Sequence, residues 1–536
     1  MKNILILITA VLLLFSCNKK SGYLEMTPEM MKDKIAGGWA GKMIGVTYGG
    51  PTEFRAMSQT YEDSIKWTPE DIKNSVWQDD IYVQLTFLMA MDRYGVDAPA
   101  KKLQEMLANA GYQLWHANVQ ARKNYYDSIF PPQSGMPEYN YHADDIDFQI
   151  EADYIGFMCP GMPQTAIEIC NNVGSIMNYG DGIYGGIFVA ALYAEAFFES
   201  DIKTVIQKAL EAIPAESDYA AIVRDVITLH GHYPEDWRAA WQELEAKWGD
   251  VDICGAGNVF NIDAKLNGAY IVMGLIYGNG DPMKTLEIST RCGQDSDCNP
   301  SNALAVLGVI KGFSNLPENM KNGTLAVADS MFIYTDYNFN RAVESTYRYA
   351  VDFIAKKGGT VDNGKIRILK QQAIAPAYQE AFPDVVFDSK VSIFDDKAWK
   401  KTGNWKIHQT IPWRMKTPQN QSLVSARAGD AIEITFEGTG ITLNGNWIRD
   451  GGKADIYLDG ELKSTIDTYF NYGNQEHYDM NIWHVFGLPQ GTHTLKLVVK
   501  GEKRPESADS KVYLTQALIF KTATKKNKDY KFSFEN

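Results

Sequence analysis

From residue 27 to residue 356, apolar residues recur at the spacing of buried or amphipathic helices, with Gly-rich turns between these stretches. Residues 186–198 are rich in alanine and aromatic residues, and the apolar positions of residues 303–311 follow a near-helical period. Thr27 is a capping residue directly before Pro28, which is a typical helix start. Strand signals are scarce here, so the pattern predicts an all-α domain.

The pattern changes around residues 356–360, and beyond residue 383 short runs alternate apolar and polar positions. Such runs occupy residues 431–436, 454–458 and 494–499. Asp459-Gly460 lies between two alternating runs and is a strong hairpin signal. Strands with one buried face alternate in this way, so we predict an all-β sandwich or jelly roll. The predicted fold class is therefore multidomain, an all-α bundle followed by an all-β domain.

Length supports this division, because 536 residues exceed what one ordinary hydrophobic core can bury. The composition, 45% hydrophobic and 22% charged, is that of a soluble globular protein. The formal net charge of −14 is spread over both halves of the chain, which argues against a basic surface that binds the phosphate backbone of a nucleic acid. We therefore expect no nucleic-acid partner.

The amino terminus has the features of an export signal. Lys2 precedes an apolar run over residues 4–15, which is too short to span a bilayer comfortably and ends at Ser16-Cys17. Residues 14–17 resemble a bacterial lipobox, in which the cysteine is acylated and becomes the mature amino terminus. The alternative is an ordinary signal peptide that is cut nearby. We expect that the protein is exported and that a lipid on Cys17 anchors it to the outer membrane of a bacterium. The protein would then face the periplasm or the cell surface.

Together these signals divide the chain into five segments. We predict a lipoprotein signal peptide and tether in residues 1–20, an all-α catalytic domain in 21–356, a linker in 357–379, a β-sandwich in 380–523 and a tail in 524–536.

Two acidic motifs carry the candidate chemistry. Gln78-Asp79-Asp80 enters one predicted helix, and Asp295-Ser296-Asp297 lies directly before another. Adjacent carboxylates repel one another unless a cation lies between them, and oxygen ligands from two remote segments suit magnesium or manganese. Aspartates are also favoured at helix starts for capping, so either pair alone has a structural explanation. The apolar and Gly-rich neighbours of both pairs favour a metal site.

The order of these motifs resembles that of the ADP-ribosylglycohydrolase family. The two acidic motifs look like its metal-binding signatures, and the resemblance covers about residues 29–313. Further similar segments are the Gly-rich first helix at residues 37–45, the Pro-x-Glu loop at 51–54, and the central region at 149–153, 160–163 and 180–186. The resemblance implies an all-helical bundle with a dinuclear metal centre in a central cleft.

The resemblance also implies roles for particular residues. The implied metal ligands are Asp79, Asp80, Asp295 and Asp297, with two Mg²⁺ or Mn²⁺ ions as cofactor. Gln78 joins them if its amide oxygen substitutes for the family's threonine, and the alternative is that one metal binds weakly. Glu53 and Asp80 are the implied catalytic carboxylates, and Glu53 is our candidate for handling the proton. A surface glutamate in a Pro-rich turn is the alternative for Glu53. Many members have threonine where this chain has Gln78, and many have threonine or serine where it has Cys298, a poor ligand for magnesium.

Further residues of the helical part are candidates for substrate binding, namely Asp153, Asp181, Gly182 and Tyr184. Asp153 and Asp181 are chosen because they lie nearer to the apolar and Gly-rich segments than the other acidic residues. For Asp144 and Asp145 we expect a solvated acidic face. The histidines at positions 116, 142, 230 and 232 show no spacing that joins them to the acidic motifs, so packing is the default interpretation.

The carboxy-terminal part resembles the galactose-binding-like jelly rolls that are appended to many secreted glycan enzymes, so we interpret it as carbohydrate-binding-like. Aromatic residues in or near its predicted loops are candidates for stacking on sugar rings, namely Trp447, Tyr469, Tyr472 and Trp483. Core packing is the alternative for each of them, and a structural brace is the alternative for the whole domain.

Two functions from different classes follow. The first is a metal-dependent hydrolase that cleaves an ADP-ribosyl, ribosyl or other glycan bond in a small-molecule or glycan substrate. The second is a non-catalytic cell-surface glycan-binding lipoprotein with a degenerate hydrolase domain. The intact aspartate pairs favour the first, and Gln78 keeps the second open.

Overall fold

A computed structural model describes residues 22–249, 252–362, 364–409 and 421–523. The predicted signal peptide and tether with Cys17, and the predicted tail at 524–536, lie outside the described residues. Among the helices that are described, none combines the length and the hydropathy needed to cross a membrane.

The amino-terminal domain is helical, as the periodicity predicts. Thr27 caps the first helix, because its Oγ1 accepts a hydrogen bond from the Met30 backbone N–H at 3.1 Å. In the described residues the α-helices are α1 (Pro28–Gly49), α2 (Asp79–Tyr94), α3 (Ala100–Asn109), α4 (His116–Tyr126), α5 (Asp147–Glu151), α6 (Asp153–Phe157), α7 (Pro163–Gly174), α8 (Asp181–Ala196), α9 (Ile202–Leu210), α10 (Asp218–His232), α11 (Trp237–Trp248), α12 (Ala264–Gly278), α13 (Pro282–Arg291), α14 (Cys298–Lys311), α15 (Glu318–Ala326) and α16 (Phe339–Lys356).

The core of this domain is built around helices that are apolar on nearly every face. In α8 all side chains except Glu195 are buried, and α12 is buried along almost its whole length. Helices of this kind lie at the centre of a large domain, with amphipathic helices such as α9 and α16 around them. The predicted all-α bundle followed by an all-β domain is confirmed.

The strands of the described residues are β1 (Tyr23–Met26), β2 (Thr360–Asp362), β3 (Lys365–Leu369), β4 (Val385–Ser392), β5 (Trp399–Thr402), β6 (Lys406–Gln409), β7 (Gln421–Ser425), β8 (Ala431–Gly438), β9 (Gly440–Trp447), β10 (Lys453–Leu458), β11 (Glu461–Asp467), β12 (His477–Val485), β13 (Gly491–Val499) and β14 (Val512–Thr522).

A small sheet ties the two ends of the helical domain together. Its strand order is β1-β3-β2, and all pairs are antiparallel. Residues 357–379, which we predict as a linker, thus contribute two strands, because Ile366 and Ile368 are buried on the helical domain while their neighbours are exposed. The segment is in this respect part of the helical domain's structure.

The carboxy-terminal domain consists of two antiparallel sheets, as the alternating pattern predicts. One has the order β11-β10-β13-β8-β5, and the other has β12-β9-β14-β7-β6 with β4 also paired to β14. The inner-facing residues Ile434 and Leu495 are buried and lie directly opposite each other on β8 and β13. The predicted hairpin at Asp459-Gly460 connects β10 and β11, and both residues have positive φ.

The aromatic residues that we predict as sugar platforms include two that pack between the domains. The Tyr472 ring stacks on Tyr126 of α4, with centroids 3.6 Å apart and planes within 4°. Trp447 is buried and lies under the Lys123 ammonium. Arg504 adds an ion pair to Asp127 at 2.6 Å. For Tyr472 and Trp447 the prediction of sugar stacking is wrong, because both surfaces are covered by α4 or by the domain's own core.

Candidate functional site

A stripe of glycines brings helices α1 and α14 into backbone contact. A Cβ atom at Gly45 would lie 2.3 Å from Ser301 Cα, and one at Gly49 would lie 1.8 Å from the Ser296 carbonyl oxygen. Because no side chain separates the helices, the end of α1 lies directly beside the start of α14. The stripe repeats every four residues, at Gly37, Gly41, Gly45 and Gly49.

The loop after α1 is fixed to the segment before α14 by hydrogen bonds. The hydroxyl groups of Thr52 and Ser296 are 2.8 Å apart, and both residues are buried. The Phe54 backbone N–H donates to the Gln294 carbonyl oxygen at 3.0 Å. Glu53 lies between these two anchors, so its carboxylate is held next to Asp295 and Asp297.

Two groups of side chains converge here in positions suitable for a metal. The ligand atoms of Glu53, Asp295 and Asp297 all lie within 4.8 Å of one another, as do those of Asp80, Asp297 and Cys298. Asp297 belongs to both groups, so they form one continuous site. We call the five carboxylates of Glu53, Asp79, Asp80, Asp295 and Asp297 the acidic cluster.

Asp79 and Gln78 lie at the edge of the acidic cluster. Asp79 is the first residue of α2, half-buried, and its charge acts on both Asp80 and Asp297. Gln78 is the N-cap of α2 and makes no capping hydrogen bond with its side chain. A Cβ atom at Gly50 would lie 3.6 Å from Gln78 Nε2, so the amide faces the loop that carries Glu53.

The electrostatics of the acidic cluster fit a divalent cation. Burial, reinforced by neighbouring carboxylates, raises the pKa of Asp79 to about 6 and that of Asp295 to about 7. The same causes raise the pKa of Asp297 well above its usual range. Hard carboxylate oxygens in this arrangement suit Mg²⁺ or Mn²⁺, whereas the Cys298 thiol does not.

Lys42 is a part of the site that sequence reasoning missed. Its ammonium is fully buried, 3.4 Å from Asp80 Oδ1 and 3.0 Å from Asp153 Oδ2, and it donates to the Ile150 carbonyl oxygen at 2.9 Å. The neighbouring charges of Asp153 and Asp80 outweigh burial and raise the pKa of Lys42. The available signal was a single lysine within the otherwise apolar residues 37–45.

Asp153 has a different role from the substrate contact that we predict. It is completely buried, and its Oδ1 accepts hydrogen bonds from the Tyr193 hydroxyl and from Asn302 Nδ2. Its Oδ2 pairs with Lys42. All of these contacts are internal, so the Asp153 carboxylate positions Lys42, the lysine that contacts Asp80.

The other three predicted substrate contacts also face internal partners. Asp181 accepts a hydrogen bond from the Tyr219 N–H at 3.2 Å. A Cβ atom at Gly182 would lie 2.5 Å from the Ala143 carbonyl oxygen, so this glycine permits close packing. The Tyr184 hydroxyl donates to the Ala377 carbonyl oxygen at 3.1 Å and thus holds the 370s segment on α8.

The expected solvated face at Asp144 and Asp145 is a further error, because both residues are buried. Their backbone pairs with the segment before α12, through an Asp145–Asp263 bridge and the hydrogen bond from Ile146 N to Ile262 O. Lys265 Nζ lies 3.1 Å from Asp144 Oδ2 and compensates its charge. A count of acidic residues along the chain could not reveal this pairing.

Comparisons with known proteins agree with this architecture. The family model described as ADP-ribosylglycohydrolase matches residues 27–343. An A type blood alpha-D-galactosamine galactosaminidase of Flavonifractor plautii is 31% identical over 122 residues, which cover 23% of this chain and 10% of that protein. The chain thus spans about a tenth of the length of this curated relative.

Similarity to solved structures is distant. An ADP-ribosylglycohydrolase-related protein complex is 12% identical with a TM-score of 0.43, and the match covers 60% of this chain and 99% of that one. A carbohydrate-binding module CBM36 in complex with calcium and xylotriose is 13% identical with a TM-score of 0.16, and the match covers 25% of this chain and 99% of that one.

Proposed function

Because the chain belongs to the ADP-ribosylglycohydrolase family, we propose that it is a metal-dependent hydrolase that cleaves a glycosidic bond at the acidic cluster. The observation that supports this most directly is the shared Asp297. Its carboxylate lies within 4.8 Å of ligand atoms from Glu53 and Asp295 on one side and from Asp80 on the other. A carboxylate shared by two groups of ligands suits a pair of ions.

The cofactor we propose is a pair of Mg²⁺ or Mn²⁺ ions, held by Asp79, Asp80, Asp295 and Asp297 with Gln78 at the edge. When bound, such ions neutralise developing charge and lower the pKa of water. Glu53 is exposed, whereas Asp80, Asp295 and Asp297 are buried, so its carboxylate can accept a proton from an incoming water. Lys42 fixes the Asp80 carboxylate through its contact with Oδ1.

The substrate we propose is a glycan or a smaller molecule with a glycosidic bond. Two strongly exposed aromatic residues support a sugar-binding face beside the acidic cluster, Trp77 at 64% and Tyr334 at 56% exposure. Trp77 directly precedes Gln78, and the hydrogen bond from Ile333 N to Val76 O, at 3.0 Å, brings Tyr334 to the same side. Exposed aromatic faces at a ligand site provide apolar contact for sugar rings.

Export and lipid anchoring through Cys17 complete the proposal, with the protein facing the periplasm or the cell surface. An exported enzyme meets glycans more often than cytosolic ADP-ribosylated proteins. The galactosaminidase named above acts, by its name, on the alpha-D-galactosamine of A type blood, although the shared 122 residues are a small part of that protein. We therefore place glycans ahead of ADP-ribose conjugates as substrates.

The test is release of sugar from a panel of host and plant glycans and ADP-ribose conjugates, with Mg²⁺, with Mn²⁺ and after removal of metal by EDTA. We expect turnover that requires metal, and its loss in Glu53→Gln and Asp295→Asn. Glu318→Gln is the matched control, because this exposed glutamate at the start of α15 pairs only with Lys321 among the described salt bridges.

Equal turnover with and without metal would contradict the proposed chemistry. Glycan binding that persists in the metal-free protein, without release of sugar from any substrate in the panel, would favour the alternative of a non-catalytic glycan-binding protein.

A further inference from the structure

A second group of potential metal ligands lies outside the acidic cluster. It consists of His116 at the start of α4, His142 in the following loop, and Asp145 just before α5. His142 Nδ1 is 2.7 Å from Asp145 Oδ2, and His116 Nδ1 is 3.7 Å from the same oxygen. All three side chains offer a ligand atom within 4.8 Å of the others. The proposed hydrolysis uses none of them.

The Asp145 carboxylate has unused capacity to bind a cation. The residue is completely buried, and its Oδ1 accepts no hydrogen bond from the described residues. A buried carboxylate oxygen in this state is costly, since it has lost water and gained nothing in return. The oxygen therefore points to a ligand that supplies positive charge.

The neighbouring polar groups do not supply that charge. Asp252 lies close by, but its two oxygens already accept backbone hydrogen bonds from Gly255 and Ile262, each at 2.7 Å. The Cys254 thiol lies 2.8 Å from the Tyr141 carbonyl oxygen, and its Sγ forms with Asp145 and Asp252 a second set of ligand atoms that lie within 4.8 Å of one another. Asp145 is thus the carboxylate that both sets share, and the two histidines belong to one of them.

The nearest buried lysine is also occupied elsewhere. Lys265 Nζ pairs with Asp263 at 2.6 Å and with Asp144 at 3.1 Å, and no described salt bridge joins it to Asp145. A neutral imidazole carries a lone pair that can bind a metal, and this group offers two imidazoles beside one carboxylate. The chemistry of the group is thus that of a metal site.

We propose that His116, His142 and Asp145 bind one divalent transition-metal ion, with Zn²⁺ as the expected ion. Two imidazole nitrogens and one carboxylate oxygen are a donor set that Zn²⁺ favours over Mg²⁺, which prefers oxygen ligands. The imidazole side chains are 28% and 12% exposed, so solvent reaches the site and completes the coordination.

This ion is separate from the pair at the acidic cluster, yet the two sites are linked through aromatic contacts. The His116 ring stacks on Phe260 at 5.6 Å, and Phe260 contacts Phe54 at 5.0 Å, next to Glu53. The β-domain supports the loop with His142, because Tyr141 packs on His484 and Phe486.

The test is titration of Zn²⁺ into the full-length protein after removal of metal, followed by calorimetry and elemental analysis. We expect the protein to bind one zinc ion, and the Asp295→Asn variant to bind it as well. In His142→Gln the affinity for zinc should fall by at least about 100-fold, since removing a metal ligand costs more than removing a residue that only supports a ligand. His116→Asn is the second variant, because His116 has φ 44° and asparagine tolerates this left-handed conformation.

Two controls isolate the site. His230→Gln changes a histidine of α10 that contacts Tyr277, and Cys254→Ser removes the nearby thiol, and we expect both to bind zinc normally. Cobalt substitution gives an independent signal, as its visible absorption should change in His142→Gln and His116→Asn. Circular dichroism verifies that each variant is folded.

Three results would overturn the proposal. They are failure of the metal-free protein to bind Zn²⁺, unchanged affinity in both histidine variants, and loss of zinc in Asp295→Asn, which would assign the ion to the acidic cluster. None of these outcomes depends on the proposed hydrolysis.

Discussion

Replacing Gly45 with alanine tests whether the backbone contact between α1 and α14 holds the acidic cluster together. The new methyl group would lie 2.3 Å from Ser301 Cα and 2.5 Å from the Pro300 carbonyl oxygen, and both are backbone atoms. Carbon atoms in contact are about 3.5–4.0 Å apart, so the helices must separate by more than about 1 Å.

Two effects of opposite sign decide the outcome. Alanine in a helix interior is favoured over glycine by about 0.5–1 kcal/mol. Overpacking of a close contact costs about 1–3 kcal/mol, and here the backbone cannot move aside as a side chain could. We expect net destabilisation of about 1–2 kcal/mol. The displaced helices should also strain the Thr52–Ser296 contact, so that Mn²⁺ affinity falls about tenfold, or ~1.4 kcal/mol.

Gly231→Ala is the matched control. Gly231 lies in α10, and a Cβ atom there would have no atom within 4 Å, so only the helix propensity changes. We expect a gain in stability of up to about 1 kcal/mol. Thermal unfolding and calorimetric Mn²⁺ titration measure both variants. If Gly45→Ala raised the melting temperature as Gly231→Ala does, or left Mn²⁺ affinity unchanged, our account of the glycine stripe would be refuted.

Three further changes test other parts of the molecule. Asp297→Asn keeps an oxygen that can accept the hydrogen bond from the Cys298 N–H, so α14 should stay folded. The variant should bind Mg²⁺ or Mn²⁺ more weakly at one site or more. Unchanged affinity by calorimetry would argue against the acidic cluster as the metal site. Cys17→Ala should release the protein from the membrane fraction or block its maturation, and continued membrane association would show that residues 14–17 are not a lipobox. Tyr472→Ala removes the stack on Tyr126 and should lower stability by about 1–3 kcal/mol while metal affinity is kept, so an unchanged unfolding transition would contradict its role between the domains.

Local patterns in the sequence indicated the two acidic pairs, and the family resemblance supplied Glu53 and the roles of the ligands. Asp79-Asp80 and Asp295-Ser296-Asp297 each precede or open a helix, and the structure brings Asp80, Asp297 and Glu53 to one place. Helical and alternating periods likewise predicted both domains. In each case the pattern lies within a short stretch of consecutive residues, so the spacing of apolar and polar positions is enough to indicate the element.

Features that depend on contacts between remote segments were beyond these patterns. The charge of Lys42 is compensated by residues 38 and 111 positions further along, Asp80 and Asp153, so no motif contains the whole arrangement. Asp145 is buried because residues near Ile262 pair with its backbone. The Tyr472 ring is covered by the helical domain, and burial of a side chain against another domain leaves no periodic pattern in the sequence.

The position of Lys42 explains why the acidic cluster and the helical core depend on each other. On α1, Gly41 and Gly45 let α14 approach on one face, and between them Lys42 extends from the same helix to Asp80 and Asp153. Leaving one member of a buried ion pair without its partner costs about 3–5 kcal/mol, so the ammonium stabilises the buried Asp80 carboxylate. Lys42 contacts Asp80 at Oδ1, and Asp80 offers a ligand atom within 4.8 Å of Asp297. The other aspartates of the acidic cluster have no such lysine among the described salt bridges, which fits a site for cations. A single helix thus provides both the close packing that aligns the ligands and the charge that keeps one of them in place.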